Sequence, residues 1–146
     1  MPSTYYSLHS HIIFSTKNRH PYFQPEIINE VHGYIGGTIK GLGYQPLIVG
    51  GVEDHLHLLV GQKTNQCVAD LVRELKKAST NWMKNKQSNF SWQEGYGAFS
   101  VSPERIPNVR KYIENQVEHH RTKTFREEYI EMLRFAGISF DEDLLD

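Results

Sequence analysis

Two short groups of residues in this chain have side chains and spacings suited to chemistry. The first is Asp54-His55-Leu56-His57-Leu58-Leu59-Val60. On a strand, alternate residues share a face, so His55 and His57 project together while Leu56 and Leu58 point to the other side. Two imidazoles so placed can ligate one divalent ion and leave positions open for a third ligand and for substrate oxygens. Histidines two apart on a strand also occur as plain surface pairs, so this pair does not decide the matter alone. The second group is Tyr112-Ile113-Glu114-Asn115-Gln116. On a helix, residues four apart lie one turn above each other, so the Tyr112 hydroxyl and the Gln116 amide oxygen face the same small volume. A phenol with a free pKa near ~10 becomes a competent nucleophile only beside a base or a cation. The bland reading of Tyr112 is a half-buried packing residue with a wet hydroxyl. Asn115, His119 and His120 flank this group and could support a ligand or touch phosphate, while the two histidines read equally well as a surface pair. Asp54 would point to the opposite face of a regular strand and is left out of the metal set.

The elements that must position these residues follow from periodicity. Residues 5–14 read as a strand and 15–21 as a polar turn. From Pro25, the residues Ile27, Ile28, Val31, Tyr34, Ile35, Ile39 and Leu42 recur at helical spacing, with Gly43 as the stop. Residues 44–52 and 56–61 read as two antiparallel strands joined by a tight turn at Glu53-Asp54. Residues 66–86 form an amphipathic helix with Val68, Leu71, Val72, Leu75, Trp82 and Met83 inward. Residues 90–101 are a loop feeding a short strand. Ser102-Pro103 is a helix entry, predicting a third helix to about residue 121 that Pro107 disturbs, with Ile106, Val109, Ile113 and Val117 as its apolar stripe. A last helix over 125–135 precedes an acidic end at 141–146. This order predicts an α+β fold, a ferredoxin-like βαββαβ sandwich whose antiparallel sheet carries helices on one face, with further C-terminal helices.

The 146 residues fit one domain spanning 1–146, with an acidic helix and tail from about 125. No run approaches the ~18 apolar residues of a membrane span. Met1-Pro2-Ser3-Thr4 opens no secretory signal, and Cys67 is alone, which together point to the cytoplasm. The net charge of −1 conceals segregation: residues 63–126 carry 12 Lys/Arg against 6 Asp/Glu, and residues 127–146 carry 1 against 7. A basic middle is compatible with phosphate contacts, although a solvated helix face gives the same pattern. The candidate contacts are Lys17 and Arg19 in the first turn and Arg73, Lys76, Lys77 and Lys84 on the long helix. Trp92, Tyr96 and Phe99 could stack unpaired bases, but Phe99 reads better as core and Trp92 is left open. No Walker-type loop is present, so no nucleotide cofactor is expected.

His-hydrophobic-His on a central strand, followed by Tyr-x-x-x-Gln on a later helix, resembles the single-tyrosine HUH transposases of the smallest bacterial insertion sequences, REP-associated tyrosine transposases included. The resemblance runs through Thr16-Lys17-Asn18-Arg19, the His55-Leu56-His57 block, residues 92–102, Tyr112 to Gln116 and His119-His120. It implies that His55, His57 and Gln116 bind Mg²⁺ or Mn²⁺ and that Tyr112 is the nucleophile. Attack would leave a 5′-phosphotyrosine and free a 3′-hydroxyl. It also implies single-stranded DNA with hairpin ends as substrate, and a homodimer in which the tyrosine helix of one subunit can complete the metal site of the other. Two other classes stay open: a domesticated, non-catalytic nucleic-acid-binding protein of the same fold, and a His-x-His metal-dependent hydrolase of small molecules, which would leave Tyr112 and Gln116 idle.

Overall fold

A computed structural model describes residues 3–145. Strand β1 (His9–Ser15) leads through a single turn at Lys17–Arg19 to helix α1 (Ile28–Gly41), then β2 (Gln45–Val52), β3 (His55–Gly61), helix α2 (Val68–Lys84) and β4 (Gly97–Ser100). The sheet order is β2-β3-β1-β4, antiparallel throughout. This is the expected ferredoxin-like α+β arrangement, with element ends displaced by a few residues. The first strand starts at His9 rather than near residue 5, and Gly43 (φ 87°) stops the first helix as its position required.

Alternation along the two central strands gives the sheet two unlike faces. Ile12 and Phe14 of β1 and Leu56, Leu58 and Val60 of β3 point to one side. There they pack with Val31, Ile35 and Ile39 of α1, with Leu71, Val72, Leu75 and Met83 of α2, and with Phe23, Phe90 and Trp92. His11, Ile13 and Ser15 point the other way beside His57 and His55, since Ile13 pairs with His57 and Ser15 with His55 across the ladder.

The C-terminal helices cover that second face. The expected continuous third helix is broken into a turn at Pro103–Arg105, α3 (Ile106–Glu114) and the short α4 (Gln116–His119). Pro107 falls in the first turn of α3, where a missing N–H costs nothing. The break falls at Asn115, whose backbone (φ −96°, ψ 21°) leaves helical geometry. That break turns Gln116 inward to 1% exposure and leaves Val117, expected in the apolar stripe, 62% exposed. Ile113 is buried beside Leu59 and Val101, with Ile106 and Val109 packed against them. Helix α3 can lie this close to the sheet because Gly50 of β2 has no side chain: a Cβ there would sit 2.6 Å from Ile113 Cγ2 and 2.8 Å from its carbonyl oxygen.

Helix α5 (Phe125–Phe135) is the last long element. A capping box fixes its start, with Thr124 Oγ1 accepting from the Glu127 N–H and Glu127 accepting from the Thr124 N–H. Such a cap contributes roughly 1 kcal/mol and sets where the first turn begins. The helix buries Phe125, Glu128 and Leu133. The acidic end folds back on it through Arg126 and Arg134, both ion-paired with Glu142. Among the described residues no helix is long and apolar enough to cross a membrane.

Candidate active site

His55 and His57 are fully buried on the second face of the sheet. His55 Nδ1 donates to Asp54 Oδ1 at 2.7 Å, and its Nε2 lies 3.1 Å from Gln116 Oε1. Burial alone would lower its pKa, but the Asp54 and Glu128 carboxylates lift it to about 9. His57 is driven the other way, to about 4, chiefly by burial. His57 Nδ1 lies 2.8 Å from His11 Nε2, and its Nε2 lies 3.1 Å from Glu128 Oε1. His11 is itself held down to about 3 by burial and by its neighbour His57.

Glu128 stands at the centre of the cluster. One carboxylate oxygen lies 3.1 Å from His57 Nε2, 3.1 Å from His120 Nε2 and 3.5 Å from His55 Nε2. The other accepts from the Tyr112 hydroxyl and, at 3.1 Å, from Gln116 Nε2. Burial opposes the charge, yet the surrounding imidazoles hold this carboxyl far below the usual carboxylate range. Tyr112 is shifted upward, first by burial and then by the adjacent Glu128 carboxylate, while His119 Nε2 lies 3.2 Å from its hydroxyl. Its ring stands edge-on to His57, with centroids 5.8 Å apart. A groove of about 880 Å³ opens beside the ring, lined by Asn108, Lys111, Tyr112, Asn115 and His119 among others.

Four of these side chains offer a donor atom to a common point: His55, His57, His120 and Glu128, all within 4.8 Å of one another. Gln116 Oε1 borders the same volume. Nitrogen donors with a carboxylate and an amide oxygen suit a first-row divalent cation, and this set fits one.

All of this is assembled within one chain. The profile of the transposase family described as "Transposase IS200 like" matches residues 4–116. The chain belongs to the IS200-like transposase family. It is 28% identical over 119 residues to the ISDra2 transposase TnpA of Deinococcus radiodurans, covering 76% of this chain and 85% of that relative. A solved structure described as a transposase from Deinococcus radiodurans superposes with a TM-score of 0.65 at 25% identity, over 80% of this chain and 95% of that one. The structure of a REP-associated tyrosine transposase bound to a REP hairpin shares the fold, with a TM-score of 0.62 at 14% identity over 82% and 74% of the two chains.

Against this IS200-like framework the residues singled out from sequence divide. The structure brings His55, His57, Tyr112, Gln116, His119 and His120 into one cluster, and Asn115 onto the rim of its groove. Trp92 is core, 9% exposed, with its indole N–H on Ser79 Oγ and its ring edge-on to Phe14. Lys76 is a clip for the loop before β4, donating to the carbonyls of Gln93 and Gly95 at 2.9 and 2.7 Å, rather than a groove-facing cation. Arg73 is exposed and paired with Asp70. Lys77 and Lys84 are exposed on α2, which covers the sheet face opposite the cluster, so neither reaches the histidines. Lys17 is exposed and Arg19 half-buried in the turn after β1.

Sequence reasoning passed over Glu128 and His11, and it left Asp54 out of the metal set without seeing its bond to His55. Asp54 belongs to the turn before β3 rather than to its alternation, which lets its carboxylate reach back to His55. His11 had a signal, the second of two histidines two apart on β1. Glu128 had one as well: it is an acid on the buried side of α5, three residues after Phe125 and five before Leu133.

Proposed function

We propose that this chain cleaves and rejoins single-stranded DNA through a covalent link to Tyr112, with Mg²⁺ or Mn²⁺ held at His55, His57 and Gln116. The observation that carries this is the contact of the Tyr112 hydroxyl with Glu128, whose other oxygen touches the imidazoles of the cluster. One carboxylate thus holds the nucleophile against the metal donors. A bound cation would draw charge from the phosphate oxygens, an effect worth several kcal/mol.

The chain's own groups account for the remaining requirements. The Tyr112 oxygen forms the bond to phosphorus in line, the P–O3′ bond breaks, and the strand leaves as a 3′-hydroxyl once its oxygen gains a proton. Glu128 and His119 are both within reach of the phenol proton. Asp54 and His11 fix the outward nitrogens of His55 and His57, so that the inward nitrogens keep one direction. Lys111 and Asn115 line the groove in which the strand would lie. Rejoining is the same step reversed with another 3′-hydroxyl. The phosphotyrosine conserves the energy of the broken bond, so no nucleotide cofactor is required.

The solved REP-associated relative was bound to a REP hairpin. On that basis we take hairpin-ended DNA in the cytoplasm as the substrate, with Lys17, Arg19 and the groove-lining Lys111 as candidate backbone contacts. Moving a segment requires two ends to be cut, hence a homodimer supplying two tyrosines. The 5.8 Å between the Tyr112 and His57 rings of one chain supports a site completed in cis, and exchange of α3 between subunits would give the trans form. On a denaturing gel, hairpin-bearing single-stranded DNA with Mn²⁺ should yield a protein–DNA adduct. Chelation should abolish it, and His55→Ala should reduce it about 10³-fold, the equivalent of a lost ~4 kcal/mol. Binding without adduct in every metal would instead mark a DNA-binding protein that has lost strand transfer.

A further inference from the structure

Three imidazoles of the cluster share one design. Each has its outward nitrogen tied and its inward nitrogen aimed at the same carboxylate oxygen. His120 Nδ1 lies 2.8 Å from the Lys123 carbonyl and His55 Nδ1 2.7 Å from Asp54 Oδ1, while His57 Nδ1 lies 2.8 Å from His11 Nε2. A carbonyl or carboxylate can only accept, so in His120 and His55 the outward nitrogen carries the proton. In the neutral ring the inward nitrogen then presents a lone pair. His120 Nε2 faces Glu128 Oε1 at 3.1 Å, and His55 Nε2 faces Gln116 Oε1 at 3.1 Å and Glu128 Oε1 at 3.5 Å. Lone pairs facing lone pairs across such distances repel, unless added protons or a cation lie between them.

The spacing admits a cation as well as direct hydrogen bonds. Ligand atoms about 2.1 Å from one ion and roughly 90–110° apart lie about 3.0–3.4 Å from one another. The separations around Glu128 Oε1, 3.1, 3.1 and 3.5 Å, are those of neighbouring ligands. Glu128 is 1% exposed, and α5 is pinned at its start by the Thr124–Glu127 capping box, so its position does not depend on a loose side chain. Both His120 and Glu128 lie beyond residue 116, where the match to the family profile ends.

We infer that Glu128 and His120 are themselves ligands of the divalent ion, so that the segment beyond the family match closes the metal site and gives it an anionic donor. This rests on the proposed metal site at His55 and His57. The second Glu128 oxygen stays on Tyr112 and Gln116, which ties occupancy of the site to the placement of the nucleophile.

The test is Mn²⁺ binding by the full chain in the absence of DNA, read as the loss of the free-ion signal in electron paramagnetic resonance. Wild type should bind one ion. Glu128→Gln and His120→Asn should each weaken binding about 10- to 100-fold, and His55→Ala should weaken it at least as much. Circular dichroism and melting in chelator establish that each variant is folded. Should Glu128→Gln fail to fold, Glu128→Asp, which draws the carboxylate back by one methylene, takes its place with the same expected direction. Affinity within twofold of wild type in the folded Glu128 and His120 variants, with His55→Ala still impaired, overturns this inference and leaves the His55–His57 site standing. Tighter binding in Glu128→Gln overturns it also, since the carboxylate would then be a plug. No binding by wild type overturns both.

Discussion

Strand β3 serves two unlike surfaces at once. Leu56, Leu58 and Val60 enter an apolar layer with α1 and α2, where close packing is what is asked of a side chain. One residue out of step, His55 and His57 enter a layer as deeply buried but crowded with imidazoles, a carboxylate and a carboxamide, closed over by α3, α4 and α5. The first layer supplies free energy of folding. The second places charge and lone pairs where water cannot screen them, which costs stability and makes the groups reactive. Because the two alternate along one strand, the apolar face fixes the register that keeps both histidines pointing at one spot.

The contrast can be broken from either side. His57→Ala should lower adduct formation about 10³-fold while shifting the melting temperature less than Leu58→Ala does. Leu58→Ala should cost about 2–5 kcal/mol in denaturant unfolding, yet leave the adduct yield per folded molecule unchanged. A smaller effect is expected at the seam between layers. Gly50→Ala would push a Cβ against the Ile113 side chain and backbone, lifting α3 and with it Tyr112. A displacement near 1 Å should slow adduct formation about 10²-fold. Asp54→Ala should leave packing intact but release the His55 ring, weakening Mn²⁺ binding about tenfold in the same titration.

The smallest effect belongs to His32 on α1, away from the cluster. Among the described residues its Nε2 is buried without a hydrogen-bond partner, and burial lowers its pKa. A group whose pKa is depressed on folding favours the native state above the unfolded value near 6.5 and withdraws that stability as pH falls below it. Chemical denaturation from pH 7.5 to 5 should therefore show a loss that His32→Gln reduces, with adduct formation at pH 7.5 untouched.

The apolar layer was legible from sequence because its signals are local: alternation over β1 and β3, the 3.6-residue stripe of α2, and a glycine at each required turn. The His55–His57 pair and the Tyr112–Gln116 pair were legible for the same reason, each lying within one or two turns of chain. Even so, Gln116 points inward because the helix breaks at Asn115, not because it continues, and a single Asn is too weak a stop signal to place that break. Glu128 meets His57 across 71 residues and His11 meets His57 across 46. Contacts of that span are set by how helices dock on the sheet. The same docking explains why Trp92, an aromatic beside a short strand, went into the core, and why Lys76 turned back to hold a loop.

The central claim is that the Tyr112 oxygen takes the phosphate. Its most direct test is mass spectrometry of the protease- and nuclease-treated adduct formed on hairpin-bearing single-stranded DNA with Mn²⁺. A nucleotide mass on the peptide carrying Tyr112, fragmenting at that residue and absent from the folded Tyr112→Phe protein, is the predicted result. A nucleotide on another residue, or an undiminished adduct in Tyr112→Phe, would contradict it.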